Sequence, residues 1–495
     1  MYLFYDLKTF GPDPAFDRIS EFSAVRTDDD VRPVSDAVHL GCGPSADYLP
    51  DPATCLATGI VPRFAHDQTP EQAPHRMIEE PDLAGEIHGQ FCSDEPATIV
   101  GYDTLHTNDQ FVRHLFYRTF YEPYLWERCR SNSRIDLYPV MPALFDFFRD
   151  SLTWPYLDNG TPSFALPDIV AANHLEDSVA VHGVSALIFD RVPQVWSWLP
   201  TFGDRKGLAS LCLTASHAGE TADRILVYSS ASLTTPQRSS TYVLPLFPDP
   251  RNARSNQWWM LDLSPTGETA PDATLFQRSE DELAERMTGT GESRLIVVDL
   301  NRFPILFPVT LTSSEKLESG GCRYSDALDQ ARQVLESDFV ANLEAGLRRV
   351  RFDSKPKSDD VDGHLYAAFP TRADRSGREM IRSQSLQWLR YQHPDSESVA
   401  FPRFHDPRYV ELLWRYRARY LPETLSAEEE RAWKTEVRTR LTDPPSPRIR
   451  GFAAFDQSWQ QIAATHRANP ILGDLLEYRN TVARRLGVKV KGGVE

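Results

Sequence analysis

Asp6 follows a short hydrophobic segment, Tyr2–Tyr5, at a position where a carboxylate could hold a catalytic metal ion. Hydrolysis of a phosphodiester by two metal ions needs several carboxylates, because two cations about 4 Å apart must be neutralised and held in place. The motif suited to this chemistry is Asp-x-Glu at the end of a strand, which puts both side chains on one face. In this chain the third residue is Lys8, so an ammonium stands where the second carboxylate is needed.

Hydrophobic patterning predicts the elements that would complete such a site. Ala97–Tyr102 is predicted as a buried strand, and the spacing of apolar residues predicts a helix over Asp109–Phe120. Asn108 is a candidate N-cap for that helix. A later helix is predicted over His182–Trp198, interrupted by Pro193. The pattern is that of an α/β domain in which strands alternate with helices.

The chain is predicted to contain three domains, of which the α/β domain occupies residues 1–200. Residues 201–352 are predicted to form short strands separated by Gly, Pro, Ser and Asn, which indicates a small β-rich barrel. Leu208–Leu213 is predicted as a strand of this barrel, and Ser325–Val350 as one long helix that closes it. Phe352–Asp362 is polar and contains proline, which predicts a linker. It overlaps the start of the third domain, residues 358–495, which is predicted to be mostly helical.

Bulk composition excludes several classes of protein. The 495-residue chain carries a net charge of −17, so it is not a polycation that coats nucleic acid, although a local basic groove is compatible with that total. The six cysteines form no C-x-x-C pair, which favours reduced thiols over a disulfide framework. No apolar run approaches the roughly 18 residues that span a bilayer, and the N-terminus has no room for a signal peptide. We expect a cytoplasmic protein without a membrane partner.

An acidic strand, a second strand followed by a polar helix start, and a late helix form the plan of the DEDD exonucleases. Longer segments resemble one family in particular, the bacterial exodeoxyribonuclease I family. These segments are YLFYDLKTFGPDPAFD (residues 2–17), Phe116–Trp126, Asn132–Met141, Thr153–Pro155, Pro162–Phe164 and LWRYRARYLPETL (Leu413–Leu425). The resemblance covers nearly the whole chain and implies an RNase H-like exonuclease domain, an SH3-like barrel and a helical C-terminal domain. It also implies degradation of single-stranded DNA from the 3′ end with Mg²⁺.

The resemblance places the family's catalytic residues at five positions, of which one is retained. Asp6 is the retained aspartate, whereas Lys8 replaces a glutamate, Asn108 an aspartate, Val181 a histidine and Ala186 the final aspartate. Asparagine keeps the shape of aspartate without its charge, valine accepts no proton, and alanine has no ligand atom. We therefore expect no cofactor, with Asp6 as the single position that would contact Mg²⁺ if the site were rearranged and active.

Two neighbouring residues are candidate substitutes for the lost site residues. Asp109 follows Asn108 and His182 follows Val181, but a shift of one residue along a helix turns the side chain by about 100°, so we do not expect rescue. Two arrangements of Lys8 remain open. Its ammonium would form an internal ion pair with Asp6 in place of the metal, or it would extend from the strand end to solvent.

Contacts to DNA are predicted at two places. The resemblance implies that the turn at Thr9 and Phe10, and the loop at His106, face a terminal nucleotide. The segment Leu413–Leu425 interleaves aromatic side chains with arginines, which suits base stacking combined with phosphate contact. The arginines concerned are Arg415, Arg417 and Arg419. The alternative is a solvated helix face whose aromatic residues belong to the core.

The leading functional prediction is a catalytically inactive homologue that binds single-stranded DNA or a DNA 3′ end, as a sensor or scaffold subunit in DNA repair or defence. The alternatives are an active Mg²⁺-dependent 3′→5′ exonuclease with a rearranged site, and a protein-binding scaffold without affinity for DNA. The resemblance also implies a partner, the acidic tail of single-strand-binding protein, held by a basic pocket. Because no arginine follows Arg302 in Phe303–Glu315, we do not expect that partner.

Overall fold

The computed structural model describes residues 1–488 except 65–75, 125–126, 128, 177–178, 253–254, 265–274, 289–293, 312–316, 319–320, 351–359 and 384–401. The strands are β1 Tyr2–Thr9, β2 Ile19–Thr27, β3 Val38–Cys42, β4 Arg76–Ile78, β5 Thr98–Gly101, β6 Ser133–Asp136, β7 Leu226–Ser229, β8 Ser240–Pro248, β9 Gln257–Asp262, β10 Leu295–Asp299 and β11 Ile305–Pro308. The helices up to the second sheet are α1 Pro52–Thr58, α2 Glu80–Phe91, α3 Asp109–Arg118, α4 Val140–Phe147, α5 Leu166–Ala172, α6 Ala180–Arg191, α7 Pro193–Gly203 and α8 Arg205–His217. The later helices are α9 Glu280–Thr288, α10 Tyr324–Leu335, α11 Phe339–Arg349, α12 Arg372–Arg382, α13 Pro407–Tyr420, α14 Ala427–Thr442, α15 Phe452–His466 and α16 Ile471–Leu486.

The N-terminal strand β1 lies inside a mixed sheet with the order β4-β3-β2-β1-β5-β6. It runs antiparallel to β2 and parallel to β5. Leu3, Tyr5 and Leu7 are buried on one face against α2 and α3, whereas Phe4 packs on the other face with α6. Because side chains alternate along a strand, Asp6 shares its face with Phe4 and therefore points to the side that α6 covers.

A second sheet has the order β10-β9-β8-β7-β11 with every neighbouring pair antiparallel. Helix α8 packs on one face, and α9, α10 and α11 pack on the other. The predicted strand Leu208–Leu213 is wrong, because it lies within α8. Leu208, Cys212 and Ala215 are buried at helical spacing, while Leu213 is 53% exposed, so the segment follows a period of 3.6 and not of 2.

The predicted single helix Ser325–Val350 is two helices, α10 and α11. The Ser337 hydroxyl donates to the Val334 carbonyl at 2.8 Å and accepts from the Phe339 N–H at 3.3 Å. A serine that bonds the backbone in this way competes with the helical ladder and favours a break.

The C-terminal helices pack back onto the first domain through two apolar clusters. In one, Phe120 stacks on Phe404 and meets the edge of Tyr416. In the other, Phe10 and Tyr48 join side chains from α14, α15 and α16. All six cysteines are free, as predicted. Within the described residues, every helix is too short or too polar to cross a bilayer.

Candidate active site

Asp6 is a partly buried carboxylate within the C-terminal half of β1. Burial raises its pKa to about 6, against the Leu7 N–H, the Lys8 charge and a hydrogen bond from the Asn108 side chain, which all lower it. Because burial dominates, the favourable contacts around Asp6 do not compensate for the lost hydration of its charge. The protein therefore stabilises the ionised form of Asp6 less well than water does.

Lys8 forms its ion pair with Glu21 and not with Asp6. The two residues face each other across β1 and β2, and the Lys8 Nζ lies 2.9 Å from a Glu21 carboxylate oxygen. The Lys8 side chain is 50% exposed, at the rim of the sheet. The predicted internal ion pair between Lys8 and Asp6 is therefore wrong, and Lys8 extends toward solvent, as the second hypothesis held.

Asn108 reaches Asp6 from a π-helical turn, Thr104–Asn108, that separates β5 from α3. The turn follows Asp103, whose φ of 53° is left-handed. Its backbone is held by Asp136 at the end of β6, which accepts from the N–H groups of Asp103 at 2.8 Å and Leu105 at 3.0 Å. Burial raises the pKa of Asp136 to about 7.

The prediction that Asn108 caps α3 is wrong, since its backbone is helical and its side chain makes no capping hydrogen bond. The role of Asp136 was missed. The available signal was an acid at the end of β6, beside the strand that leads into the turn.

The face of α6 that covers Asp6 is apolar. Val181 is fully buried with Phe4 in one core cluster, and Ala186 packs at the border of the same cluster. His182 is turned away, because its Nε2 donates to the Val31 carbonyl at 2.9 Å and its ring stands edge-on to Phe4 at 5.2 Å. The helix offers Asp6 neither a proton acceptor nor a metal ligand at these positions.

Asp109 does not replace the missing acid at Asn108. It is fully buried and accepts from the Tyr5 hydroxyl and from Arg134, both at 2.7 Å. Tyr5 points to the face of the sheet opposite Asp6, so the Asp109 carboxylate lies on the wrong side. The expectation that neither Asp109 nor His182 rescues the site agrees with this geometry.

The donor set around Asp6 does not fit a two-metal centre. It comprises the Asp6 carboxylate and the Asn108 amide, with the ion pair of Lys8 and Glu21 at the rim and hydrocarbon on the helix. In the part of the chain that the structure describes, no group of three or more His, Cys, Asp or Glu side chains is arranged to hold a metal ion.

The predicted nucleotide-facing turn is only partly accessible. Phe10 is 1% exposed and packs in the core beside Tyr48, so its predicted DNA contact is wrong. The Thr9 hydroxyl donates to the Gly11 carbonyl at 2.9 Å and stabilises the turn from within. His106 is exposed beside Arg302 from the loop after β10.

The three arginines of α13 are committed to internal ion pairs. Arg415 lies 2.9 Å from Asp360, and Arg417 lies 2.9 Å from Glu429. Arg419 contacts Asp47 at 2.8 Å. The structure therefore corrects the prediction that these side chains contact DNA, because their guanidinium groups are already held by acids.

Arg415 and Arg419 belong to a buried charge cluster that sequence reasoning missed. We define the charge cluster as Arg18, Asp47, Glu80, Arg118, Asp360, Asp362, Arg415, Arg419 and Arg440. Burial would raise the pKa of Asp362, but Arg419, Arg415 and Arg440 hold that pKa well below its usual range. The cluster joins the first domain to the C-terminal helices, and Asp360 and Asp362 come from the segment that was predicted as a linker.

Comparisons with known proteins agree on one family. Residues 359–482 match the family model described as the exonuclease I C-terminal domain. The chain is 30% identical over 498 residues to exodeoxyribonuclease I of Escherichia coli (strain K12), covering 97% of this chain and 98% of that protein. It is 28% identical over 488 residues to exodeoxyribonuclease I of Haemophilus influenzae, covering 94% and 95% of the two chains.

Solved structures show the same similarity. The crystal structure of E. coli exonuclease I in complex with a dA16 oligonucleotide matches with a TM-score of 0.80 and 27% identity, over 97% of this chain and 99% of that chain. The structure of SSB/exonuclease I in complex with the inhibitor CFAM matches with a TM-score of 0.77 and 27% identity, over 98% and 99%. The fold class predicted from the sequence is confirmed: an RNase H-like exonuclease domain, an SH3-like domain and a helical C-terminal domain.

Proposed function

The chain belongs to the exonuclease I family, and we propose that it is a member that binds single-stranded DNA, or a DNA 3′ end, without hydrolysing it. Binding is supported by the similarity, over almost the whole chain, to an exonuclease I in complex with a dA16 oligonucleotide. Loss of hydrolysis is supported by one observation, the set of side chains around Asp6. Such a protein would act by occupying DNA, as a sensor or scaffold subunit.

The chemistry of the site supports the proposal that the protein does not hydrolyse DNA. An attacking water needs a proton acceptor, and general-base catalysis typically contributes about 10²–10⁴-fold to a rate. Val181, which is buried on α6 in the same apolar cluster as Phe4, has no acceptor atom, and His182 already donates to Val31. The site also lacks the charge to neutralise two divalent cations, because Lys8 is a cation and Glu21 is paired with it.

Two alternatives remain to be tested. An active exonuclease with a rearranged site would need a second carboxylate that is available beside Asp6. The nearby acid is Glu21, whose charge acts on Asp6, and Glu21 is paired with Lys8. A scaffold without DNA affinity would keep the fold and bind only protein. The similarity to the SSB/exonuclease I structure makes single-strand-binding protein one partner to include in that test, although Ile305–Leu311 carries no arginine.

The test is a titration of a 5′-labelled single-stranded oligonucleotide, with Mg²⁺ and with EDTA, read on native and denaturing gels. We expect retarded migration of a full-length strand in both conditions. Mg²⁺-dependent shortening from the 3′ end would show that the protein is an active exonuclease. A strand that is neither retarded nor shortened would favour the scaffold.

A reconstructed site sharpens the test. The variant Lys8→Glu/Asn108→Asp/Val181→His/Ala186→Asp restores the donor set that the family resemblance implies. We expect it to gain Mg²⁺-dependent 3′→5′ shortening, at least about 10²-fold above the unmodified protein. The matched control adds Asp6→Asn to the same variant and should lose the gained activity. Circular dichroism establishes that both variants fold, since Val181 is a core position.

A further inference from the structure

An apolar cavity of about 810 Å³ lies where the layers that cover the two sheets meet. Helices α4 and α7, which pack in the core of the first sheet, contribute part of its wall. Helix α8 and strand β11, which belong to the second sheet and its cover, contribute the rest. Cavities of about 300–1,000 Å³ with apolar and aromatic walls, placed between domains, are typical of sites for small molecules.

The mouth of the cavity leaves large apolar side chains in water. Trp198 from α7 is 42% exposed, and Leu311, shortly after β11, is 57% exposed. Both side chains belong to the lining, so the cavity is open to solvent where they lie. Exposed apolar side chains that adjoin a cavity, and are not scattered singly over the surface, indicate a ligand-binding surface. A ligand that enters here would remove both side chains from water.

The lining carries one ionisable side chain among the described residues, Asp204. It is exposed between α7 and α8, where its carboxylate accepts from the Lys206 N–H at 3.1 Å and caps α8. The neighbouring Arg205 does not line the cavity, and its guanidinium donates to Asn301 at 3.3 Å. Because no lysine, arginine or histidine of the described residues lines the cavity, an anionic ligand would lose its hydration without gaining a partner.

We propose that this cavity binds a small apolar molecule that carries no negative charge. Its volume and its walls from four elements favour a small molecule, and its lack of cations excludes acids. The family resemblance implies an acidic peptide held by cations in the middle of the chain, whereas Ile305–Leu311 offers hydrocarbon there. The ligand class therefore differs from the one that the resemblance implies. Asp6 and Asn108 do not line the cavity, so this inference does not depend on DNA binding.

The cavity is tested by fluorescence titration of the full-length protein with Nile red, an uncharged apolar dye that brightens in apolar surroundings. We expect saturable binding. Ala143→Trp places an indole in the cavity from α4 and should weaken binding at least about 10-fold, because the ring occupies volume that the dye needs. Circular dichroism establishes that this variant folds.

A second variant changes only the mouth of the cavity. Leu311→Asp replaces an exposed apolar side chain with an anion, so it should weaken Nile red binding while leaving the fold unchanged. The matched control is Leu213→Asp, which makes the same substitution at a leucine of α8 that is 53% exposed and does not line the cavity. The control should bind the dye as the unmodified protein does.

The charge preference is tested with anilinonaphthalene sulfonate, an apolar dye that carries a negative charge. We expect it to bind at least about 10-fold more weakly than Nile red, because its sulfonate finds no cation in the lining. Leu311→Lys adds a cation at the mouth and should strengthen binding of the sulfonate dye without strengthening binding of Nile red.

Each half of the proposal has its own contrary result. A lack of saturable Nile red binding, or an equal loss with Leu213→Asp and Leu311→Asp, would overturn the cavity as a binding site. Tighter binding of the sulfonate dye, or displacement of Nile red by an acidic peptide, would overturn the charge preference and favour an acidic partner. All of these measurements are made without DNA, so their failure leaves the proposed function standing.

Discussion

Buried carboxylates occur in two contrasting environments in this protein. In the charge cluster, guanidinium groups surround the acids, and the pKa values of Asp47, Glu80 and Asp362 are lowered in spite of burial. At the Asp6 site, burial outweighs the favourable contacts and raises the pKa to about 6. The first environment stabilises ionised acids, and the second penalises one.

The difference shows what each carboxylate does for the fold. Arg419 and Arg440 both approach Asp47 and Asp362 within 3.2 Å, so the cluster holds two domains together through paired charges. Asp6 has no partner of comparable strength, and its ionised form costs folding free energy. Ionised Asp6 therefore does not contribute to the stability of the fold at neutral pH.

The largest effect should come from breaking the charge cluster. Asp362→Ala leaves Arg415, Arg419 and Arg440 with less compensating charge, and removing one partner of a buried pair typically costs about 3–5 kcal/mol. Urea denaturation at pH 7 measures this loss. The control Asp326→Ala removes an exposed partner of Arg323 and should change the free energy of unfolding by less than about 0.5 kcal/mol. Equal effects of the two variants would contradict a structural role for the cluster.

The pH dependence of stability should have opposite signs at the two sites. Asp6 has a raised pKa in the fold, so its charge destabilises the protein above pH 6 and the cost disappears as the pH falls toward 4. Asp6→Asn should therefore be more stable than the unmodified protein at pH 8, by roughly 1–3 kcal/mol, with a difference that vanishes near pH 4. Thermal or urea unfolding across this range measures it.

The charge cluster supplies the opposite trend within the same experiment. Its acids have lowered pKa values, so their contribution is present at neutral pH and is lost as the pH falls below about 4. The difference between Asp362→Ala and the unmodified protein should shrink on acidification. If the stability difference between Asp6→Asn and the unmodified protein were the same at pH 4 and pH 8, the raised pKa of Asp6 would be contradicted.

The smallest loss of stability should come from breaking the ion pair between Lys8 and Glu21 at the rim of the sheet. Lys8 and Glu21 form an ion pair that is half exposed on the lysine side, and such cross-strand pairs contribute about 0.2–1 kcal/mol. Lys8→Ala should destabilise the protein by no more than this, measured by urea denaturation at low salt. A larger loss would mean that Lys8 also compensates for the buried charge of Asp6.

The sequence predicted the order of domains and strands β1, β5, β7, β8, β9 and β10, because those depend on local apolar patterning. It did not predict β2, β3, β4, β6 or β11. The prediction from sequence failed for α8, because its short apolar run fits both the period of 2 of a strand and the period of 3.6 of a helix. The candidate site followed from motif positions, and the structure placed Asp6 and Asn108 in contact with each other. The Lys8 partner was missed, because β2 and its Glu21 lie across the sheet and not along the chain.

By itself, the sequence determined which chemical groups are present at the site: one carboxylate, an amide, an ammonium and two hydrocarbon side chains. Residue identity alone fixes that a valine accepts no proton and an alanine binds no metal. Only the tertiary structure decided which charges are accessible. Arg415 is paired with Asp360, which lies 55 residues away in the sequence. Arg419 is paired with Asp47, which lies 372 residues away. Phe369 and Tyr366 are left exposed, because burial depends on contacts between distant segments that no local pattern encodes.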